Sequence, residues 1–261
     1  MTNNQHSKTL AKSYYMYGKH PVLAALNNQH RNVEQLFCDQ EFFNIHKKII
    51  SSYKYEIVTN HNLNQFLKQP CNHQGIIAKV QSVFCNNIDD LVFTDNSKLV
   101  ILDQITDPQN IGSIIRSAAA FGIQAIIMPT HHTPDENATI AKAASGALEF
   151  VKIVKVTNLQ QIMKTLKNLG FWIIGFDGNT TEYPRDNLFT GKIIMVFGSE
   201  DTGMRRLTAE TCDYLIKIPI SKNIESLNVA NAATIAFYLS CSIPLELQEL
   251  GCRTSDLRVL T

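Results

Sequence analysis

Short apolar runs and amphipathic stretches alternate along this chain of 261 residues, and the alternation predicts its secondary structure. Continuous runs of β-branched and other apolar residues indicate buried strands, whereas apolar positions three or four residues apart indicate helices. In the first part of the chain, strands are predicted over residues 33–38, 55–58 and 75–80, and helices over 21–26, 42–50 and 63–67. This order predicts a small α/β unit.

A longer series of strands and helices follows. Strands are predicted over residues 98–102, 125–128, 151–156, 171–176, 193–197 and 214–218. Helices are predicted over residues 110–121, 137–144, 159–169, 204–211 and 228–240. Apolar strands that alternate with helices are typical of a parallel sheet buried on both faces. The second unit is therefore expected to be α/β, a parallel sheet with helices on both faces.

Changes in polarity divide the chain into five segments. Residues 1–15 lack an apolar period and are predicted to be a disordered tail, and residues 16–84 form the small unit. Residues 85–98 are polar and rich in turn formers, so we expect a linker between separable domains. Residues 99–245 form the second unit, and residues 246–261 a C-terminal tail.

Composition excludes a few classes of protein. Hydrophobic residues at 44% and charged residues at 18% are ordinary for a globular protein. No window approaches the roughly 20 apolar residues that a membrane span needs. The polar start does not resemble a secretory signal. We therefore expect no membrane association and a cytoplasmic location.

The positions of cysteine and histidine argue against two kinds of chemistry. None of the six cysteines forms a C-x-x-C pair or clusters with histidines at zinc-ligand spacing, so no metal is expected. All eight histidines lie at or before His132. A site in the second half of the chain must therefore work without an imidazole base.

The net charge of +1 gives no general reason to expect nucleic-acid binding. Such binding would depend on local basic groups. The candidates are Lys12, Lys19 with His20, Lys47-Lys48 and Arg205-Arg206. Because clusters of charge are more often only hydrated surface, charge alone leaves RNA binding a minority hypothesis.

Three segments, each at the end of an apolar strand, carry the groups best suited to chemistry. They are residues 107–116 (DPQNIGSIIR), residues 196–203 (VFGSEDTG) and residues 218–229, which contain Pro219 and Ser226-Leu227-Asn228. The carboxyl ends of parallel strands meet at one edge of a sheet, where α/β proteins place their sites. No two glycines lie two residues apart, and no G-x-x-x-x-G-K-[ST] loop is present, so Rossmann and P-loop nucleotide folds are disfavoured.

Each segment also has a purely structural interpretation. Asn110 is a good N-cap for the helix that carries Arg116, although a lone guanidinium beside an alanine run suits a phosphate or carboxylate partner. Glu200 favours a helix N-terminus. Ser226 is a candidate cap for the last helix, and Asn228 is a further polar group at its start. Taken singly, the segments leave both interpretations open.

Together and in this order, the three segments resemble the SPOUT family of RNA methyltransferases, in particular its TrmH/SpoU branch of 2′-O-ribose methyltransferases. Residues 140–149 (IAKAASGALE) and 169–175 (LGFWIIG) resemble the family's sequence between these segments. Residues 17–22 (YGKHPV) and 73–76 (HQGI) resemble the L30e-like substrate-binding domain attached to this branch. The resemblance thus covers both units.

The resemblance implies a C-terminal trefoil knot in the second unit, and S-adenosyl-L-methionine as co-substrate without a metal. It implies methyl transfer to the ribose 2′-hydroxyl of a guanosine in large-subunit (23S) rRNA. A tRNA guanosine 2′-O-methyltransferase and a non-catalytic RNA-binding or ribosome-assembly factor are the alternatives. The implied catalytic residues are Asn110, Arg116, Glu200, Ser226 and Asn228. The implied cofactor-binding residues are Phe197, Gly198, Ser199, Ile218, Pro219 and Leu227.

A homodimer is also expected. In related enzymes the knotted domains pair, and an arginine of the first segment can reach the cofactor of the neighbouring subunit. The last helix offers an apolar surface to such a partner. The residues of this surface are Val229, Ala233, Ala236, Phe237 and Tyr238.

We interpret Arg116 as a group that orients the target phosphate and hydroxyl, with its geometry set by Asn110 and Glu200. A guanidinium pKa above ~12 makes a resting neutral base implausible. His131-His132 stands where relatives often carry arginine or lysine, which leaves the RNA contact at that position open.

Overall fold

The computed structural model describes residues 12–67, 71–84, 87–185 and 188–241, and these residues form two sheets. The first sheet has the strand order β1-β4-β2-β3, in which β4 is antiparallel to both of its neighbours and β2 and β3 are parallel. Its strands are β1 (Ser13–Tyr17), β2 (Val33–Cys38), β3 (Tyr55–Ile57) and β4 (Ile76–Gln81). Its helices are α1 (Lys19–Asn27), α2 (Gln40–Ile50) and α3 (Asn60–Gln65).

The second sheet has the order β10-β8-β9-β5-β6-β7, and every pairing in it is parallel. Its strands are β5 (Lys98–Leu102), β6 (Ala125–Pro129), β7 (Lys152–Val156), β8 (Trp172–Phe176), β9 (Ile193–Phe197) and β10 (Tyr214–Ile216). Its helices are α4 (Pro108–Ala120), α5 (Ala138–Ala144), α6 (Leu159–Asn168), α7 (Arg206–Thr211) and α8 (Val229–Ser240).

Both faces of the second sheet are covered, as the apolar strands predicted. On one face, Met195 of β9 belongs to a core that includes Ile114 of α4 and Phe237 of α8. On the other face, Ile173 of β8 belongs to a core that includes Met163 of α6. The predicted α/β class with a parallel sheet is therefore confirmed. No described helix is long and apolar enough to cross a membrane.

The neighbouring central strands β5 and β9 position the site. They pair in register so that Leu102 lies opposite Phe197, and both strands end at the same edge of the sheet. Helix α8 packs on α4, where the hydroxyls of Ser117 and Thr234 are 2.7 Å apart. The segments after β5, after β9 and before α8 therefore meet at this edge.

Strand β1 corrects the prediction of a disordered tail over residues 1–15. Residues 13–15 are part of β1, which pairs with β4 from Ser13 opposite Gln81 to Tyr17 opposite Ile77. The buried side chain of Met16 holds this strand on the core. Lys12 is also described and pairs with Asp135. Residues 1–11 of the expected tail and the C-terminal tail, residues 246–261, lie outside the described residues.

The expected linker is in part packed against the second unit. Residues 88–90 form one turn of 3-10 helix, and Leu91 is buried in the core beneath α6. The Phe93 ring meets the Phe171 ring edge-on, with centroids 5.0 Å apart. The apolar residues within this polar segment therefore anchor it, and Lys98, its last residue, already belongs to β5.

A buried cluster of charged groups joins the two units. The Arg31 guanidinium donates to Glu136 Oε1 at 2.7 Å, and the Tyr14 hydroxyl donates to the same oxygen at 2.7 Å. Arg31 Nε also lies 3.5 Å from Oε1 of Glu149, and these three charged side chains are at most 2% exposed. Because buried charges need their partners, this contact argues against the separable domains that the linker composition suggested.

Candidate active site

One carboxylate oxygen connects all three segments that the sequence singled out. Glu200 Oε1 accepts hydrogen bonds from Asn110 Nδ2 at 3.0 Å and from Asn228 Nδ2 at 2.6 Å. The backbone N–H of Val229 donates to the same oxygen at 3.1 Å. Three of the five predicted catalytic residues therefore form one hydrogen-bonded cluster.

Asn228 has its amide orientation determined by two sets of partners. Its Oδ1 caps helix α8 by accepting from Ala230 N at 3.0 Å and Asn231 N at 3.4 Å. Its Nδ2 then faces Glu200 and also donates to Asn110 Oδ1 at 2.9 Å. The cap thus holds the side chain in the orientation that the cluster needs.

Glu200 lies at the N-terminus of α8, on a helix to which it does not belong. Val229 is the first residue of this helix, so its N–H has no partner within the helix and donates to the carboxylate. The helix dipole also favours a negative charge at this end. The sequence predicted a helix N-terminus for Glu200, and the structure identifies which helix it is.

A closed loop holds Glu200 in place. Ser199 N donates to Gly203 O at 3.1 Å, and Gly203 N donates to Ser199 O at 3.0 Å. Gly203 has a φ of +68°, which favours glycine. A Cβ on Gly198 would lie 2.1 Å from backbone atoms of Gly203 and Met204, so only glycine fits there.

Two predicted helix caps are wrong. Asp107 caps α4 by accepting from Gln109 N at 2.9 Å, which leaves Asn110 inside the helix with its side chain free to reach Glu200. Asn228 caps α8, so Ser226 does not. Ser226 is exposed and has no hydrogen-bond partner in the described part of the chain, so its catalytic role stays a prediction.

Arg116 is not part of the cluster within one chain. It lies six residues after Asn110 on α4, which is about 9 Å along the helix axis. The side chain is exposed and forms no hydrogen bond or ion pair with another described residue. The expectation that Asn110 and Glu200 set its geometry is therefore wrong for the single chain, because both bond to each other and to Asn228 instead.

The predicted cofactor-binding residues follow the same strands. Phe197 ends β9, and Gly198 and Ser199 follow it, whereas Ile218 and Pro219 lie two and three residues after the end of β10. The ring of Phe197 stacks on Phe176 of β8, at a centroid distance of 4.8 Å. Leu227 directly precedes Asn228 in the cluster. Among the described residues, the backbone N–H groups of Ile218 and Leu227 have no acceptor, so both are free to bind a ligand.

Two groups beside the site were missed by the sequence analysis. Asp103 follows β5 and is fully buried, and it binds the side chain and backbone N–H of Arg205. The available signal was a single acidic residue directly after an apolar strand. Arg205 had been considered only as a candidate for binding RNA.

The basic groups considered for RNA binding fall into two sets. Three of them are engaged in ion pairs, which are Lys12 with Asp135, Arg205 with Asp103, and Arg206 with Glu210. The others are exposed and form no ion pair with another residue in the described ranges, and these are Lys19, His20, Lys47 and Lys48. As for metals, no group of three or more metal-ligating side chains occurs among the described residues.

Asn228→Ala is expected to lower the free energy of unfolding by about 1–2 kcal/mol, because it removes the α8 cap and one donor to Glu200. Urea denaturation would measure this loss. Asn158→Ala is the matched control, since Asn158 caps α6 without touching the cluster. A loss no larger than that of the control would show that the contact with Glu200 contributes nothing to stability.

Two family models match the chain. The SpoU rRNA Methylase family matches residues 97–238, and a domain described as RNA 2′-O ribose methyltransferase substrate binding matches residues 15–83. The chain belongs to the SpoU rRNA methylase family.

Relatives of known activity agree with this membership in the SpoU family. A 23S rRNA (guanosine-2′-O-)-methyltransferase RlmB from Escherichia coli is 36% identical over 235 residues, which cover 87% of this chain and 97% of the relative. The protein of the same name from Vibrio parahaemolyticus is 44% identical over 171 residues, 64% of this chain and 69% of the relative.

Solved structures show the same SpoU fold. The SpoU methyltransferase AviRb from Streptomyces viridochromogenes, in complex with AdoMet, matches with a TM-score of 0.76 and 24% identity. The match covers 88% of this chain and 89% of that one. An AdoMet-bound rRNA methyltransferase from Sinorhizobium meliloti matches with a TM-score of 0.73 at 20% identity. The trefoil knot implied by the sequence stays a prediction.

Proposed function

We propose that this protein transfers a methyl group from S-adenosyl-L-methionine to the ribose 2′-hydroxyl of a guanosine in 23S rRNA, in the cytoplasm. The observation that carries the proposal is the cluster in which Glu200 Oε1 joins Asn110, Asn228 and Val229. This cluster brings together the three segments that the family resemblance identified. The match to the Escherichia coli relative covers 97% of that protein, whose name specifies a guanosine of 23S rRNA, and this supports the proposed substrate.

The residues at the sheet edge fit S-adenosylmethionine. The free backbone N–H groups of Ile218 and Leu227 suit the nitrogen acceptors of an adenine ring. The exposed carboxylate of Glu200 gives the edge a negative charge, which favours a cationic sulfonium. When bound, the sulfonium supplies an activated methyl carbon that the ribose oxygen displaces.

The chain's own contribution is position and charge rather than base catalysis. No histidine lies beyond His132, and the predicted site therefore offers no imidazole. Glu200 uses one oxygen to hold three donors in place. Arg116 carries an exposed planar guanidinium that suits a phosphate and a neighbouring hydroxyl. Holding the reacting atoms in line accounts for a large part of such a rate.

The first unit supplies a basic surface for RNA. Lys19 at the start of α1 and Lys47-Lys48 near the end of α2 are exposed. Burial lowers the pKa of His46, and the nearby charge of Lys19 lowers it further, so the start of α1 lies near His46 of α2. Exposed lysines of this kind bind phosphates as point charges. This surface supports an RNA-anchoring role for residues 16–84.

The test is to map 2′-O-methylation in 23S rRNA and tRNA from cells with and without this protein. Loss of one guanosine methylation in 23S rRNA, restored by the wild-type gene, is the expected result. Loss confined to a tRNA would favour the tRNA alternative. No loss in either RNA, together with no methylation by the purified protein, would favour the non-catalytic alternative.

We also propose a homodimer that uses the outer face of α8. The residues that suggested this surface are mostly buried, because Val229, Ala233, Ala236 and Phe237 pack inside the chain. The exposed apolar side chains of α8 are Ile235, Tyr238 and Leu239. Thr234 on the same helix bonds Ser117, the residue after Arg116, so this face lies beside the free arginine.

Light scattering at micromolar concentration is expected to give twice the mass of one chain. Tyr238→Glu places a charge in the proposed interface and should produce monomers that have lost methylation activity. Trp172→Glu, at an exposed aromatic residue of β8, is the control and should leave the dimer intact. A fully active monomeric wild type would contradict the proposal.

A further inference from the structure

An ion pair between Asp103 and the partly exposed Arg205 fastens the loop that carries Glu200 to a central strand of the sheet. Asp103 is fully buried directly after β5. Its Oδ1 accepts from Arg205 Nε at 2.8 Å and lies 2.7 Å from Arg205 Nη2, and its Oδ2 accepts from Arg205 N at 3.0 Å. One carboxylate therefore binds both the side chain and the backbone of a single arginine.

The same residue also holds the other end of the loop. The backbone N–H of Asp103 donates to Phe197 O at 2.8 Å, at the end of β9. Phe197 and Arg205 flank residues 198–204, the closed loop that presents Glu200. Asp103 thus contacts the residue before this loop and the residue after it.

We infer that Asp103 and Arg205 are positioning residues for methyl transfer. They hold the loop that carries Glu200 in a fixed position relative to the carboxyl end of β5. The inference rests on the proposed function. Because both ends of the loop are held by Asp103, the Glu200 carboxylate is kept within hydrogen-bond distance of Asn110 and Asn228. Through its contacts with Asp103, Arg205 acts on the position of Glu200 rather than on the substrate directly.

The pair is suited to this work by its geometry. A guanidinium that binds a carboxylate through two nitrogens is held in one orientation, which an ammonium on a flexible chain cannot reproduce. Two backbone hydrogen bonds between Ser199 and Gly203 close the loop and constrain its backbone. A shift at Arg205 is therefore passed on to Glu200, which lies on the same closed loop.

The experiment compares Asp103→Asn, Glu200→Gln and the double variant with the wild-type protein. S-adenosylmethionine affinity is measured by calorimetry without RNA, and the methylation rate is measured under single turnover with 23S rRNA. Asp213→Asn is the matched control. Asp213 also binds a cation and a backbone N–H, namely Lys167 Nζ at 2.7 Å and Ile173 N at 2.8 Å, but at the opposite edge of the sheet.

Asp103→Asn is expected to lower both the affinity and the rate roughly tenfold to a hundredfold, as small displacements at a reacting centre do. In the Glu200→Gln background, the same change should have almost no further effect on the rate, because it acts through Glu200. The control should lose thermal stability and keep its rate. Arg205→Lys should retain the charge and still lose most of the rate.

Two results would overturn the inference. One is an Asp103→Asn protein that, at a temperature where it is folded, binds and methylates like the wild type. The other is a double variant in which Asp103→Asn slows the Glu200→Gln protein by the same factor as it slows the wild type. This result would mean that Asp103 acts independently of Glu200. A wild-type protein that binds S-adenosylmethionine but methylates no RNA would overturn the proposed function alone, since the affinity comparison needs no RNA.

Discussion

Arg116→Lys should slow methyl transfer on the order of a hundredfold or more while leaving S-adenosylmethionine affinity near the wild-type value. The lysine keeps the positive charge but loses the planar fork that holds a phosphate oxygen and a hydroxyl at once. Arg116 is exposed and has no partner among the described residues of its own chain, so no internal contact is lost with it. The effect should therefore appear in the rate rather than in stability.

Single-turnover methylation of rRNA at saturating protein measures this rate. Arg206→Lys is the control, because Arg206 is also exposed and its guanidinium binds Glu210 within the same helix. The control should keep the wild-type rate. If Arg116→Lys methylates RNA as fast as the wild type, Arg116 is a surface residue without a role in the reaction.

Arg31→Met should lower the free energy of unfolding by about 3–5 kcal/mol, because it leaves buried carboxylates without their cation. Glu136 and Glu149 approach this guanidinium from the second unit, and neither side chain is more than 2% exposed. Arg185→Met is the control, since Arg185 binds Glu182 at the surface, where such pairs contribute at most about 1 kcal/mol. Urea denaturation of both variants measures the difference.

The loss should also depend on pH in a defined direction. Burial raises the pKa of the Glu149 carboxyl, and the Arg31 charge opposes that rise. Without Arg31 the folded pKa rises further above the unfolded value, so the folded state binds protons more readily and loses stability as pH increases. The deficit of Arg31→Met should therefore be smaller near about pH 5 than near pH 8. A deficit that does not change with pH would show that the carboxylates are not the cause.

This cluster also changes what we expect of a truncated protein. If the two units were separable, as the linker composition suggested, residues 96–261 would bind S-adenosylmethionine on their own. Removal of the first unit would take away the hydrogen-bond partners of Glu136. These partners include Ser82 Oγ, which donates to it at 2.7 Å, and Val83 N, which donates at 2.6 Å. We now expect the isolated segment to be much less stable than the full chain.

Much of the fold could be predicted because its signal is local. The bounds of β5 and β9 match the apolar runs, since a strand buried on both faces needs a continuous run of such residues. Strand β1 was missed because its sequence, SYYMY, is short, contains no β-branched residue and follows a polar segment. Only its partner β4, more than 60 residues later, makes it a strand.

The candidate site was predictable as a set of residues but not as an arrangement. Asn110, Glu200 and Asn228 follow or precede elements of one parallel sheet, so their proximity follows from the topology. The Asp103–Arg205 pair spans 102 positions, and the Arg31–Glu136 pair spans 105. No local periodicity indicates such partners. Helix caps were misassigned for a related reason, because Asp, Asn and Ser all cap well and only the backbone geometry selects one.

The charged cluster between the units has a consequence for target choice. It fastens β1 and the segment after α1 to the segment around α5. Helix α5 in turn packs so closely on α4 that a Cβ on Gly112 would lie 2.5 Å from the Ala143 side chain. The basic surface of the first unit therefore stands at a set distance from Asn110. We therefore expect this fixed distance to limit which nucleotides of a folded RNA can reach the site while the first unit holds the RNA.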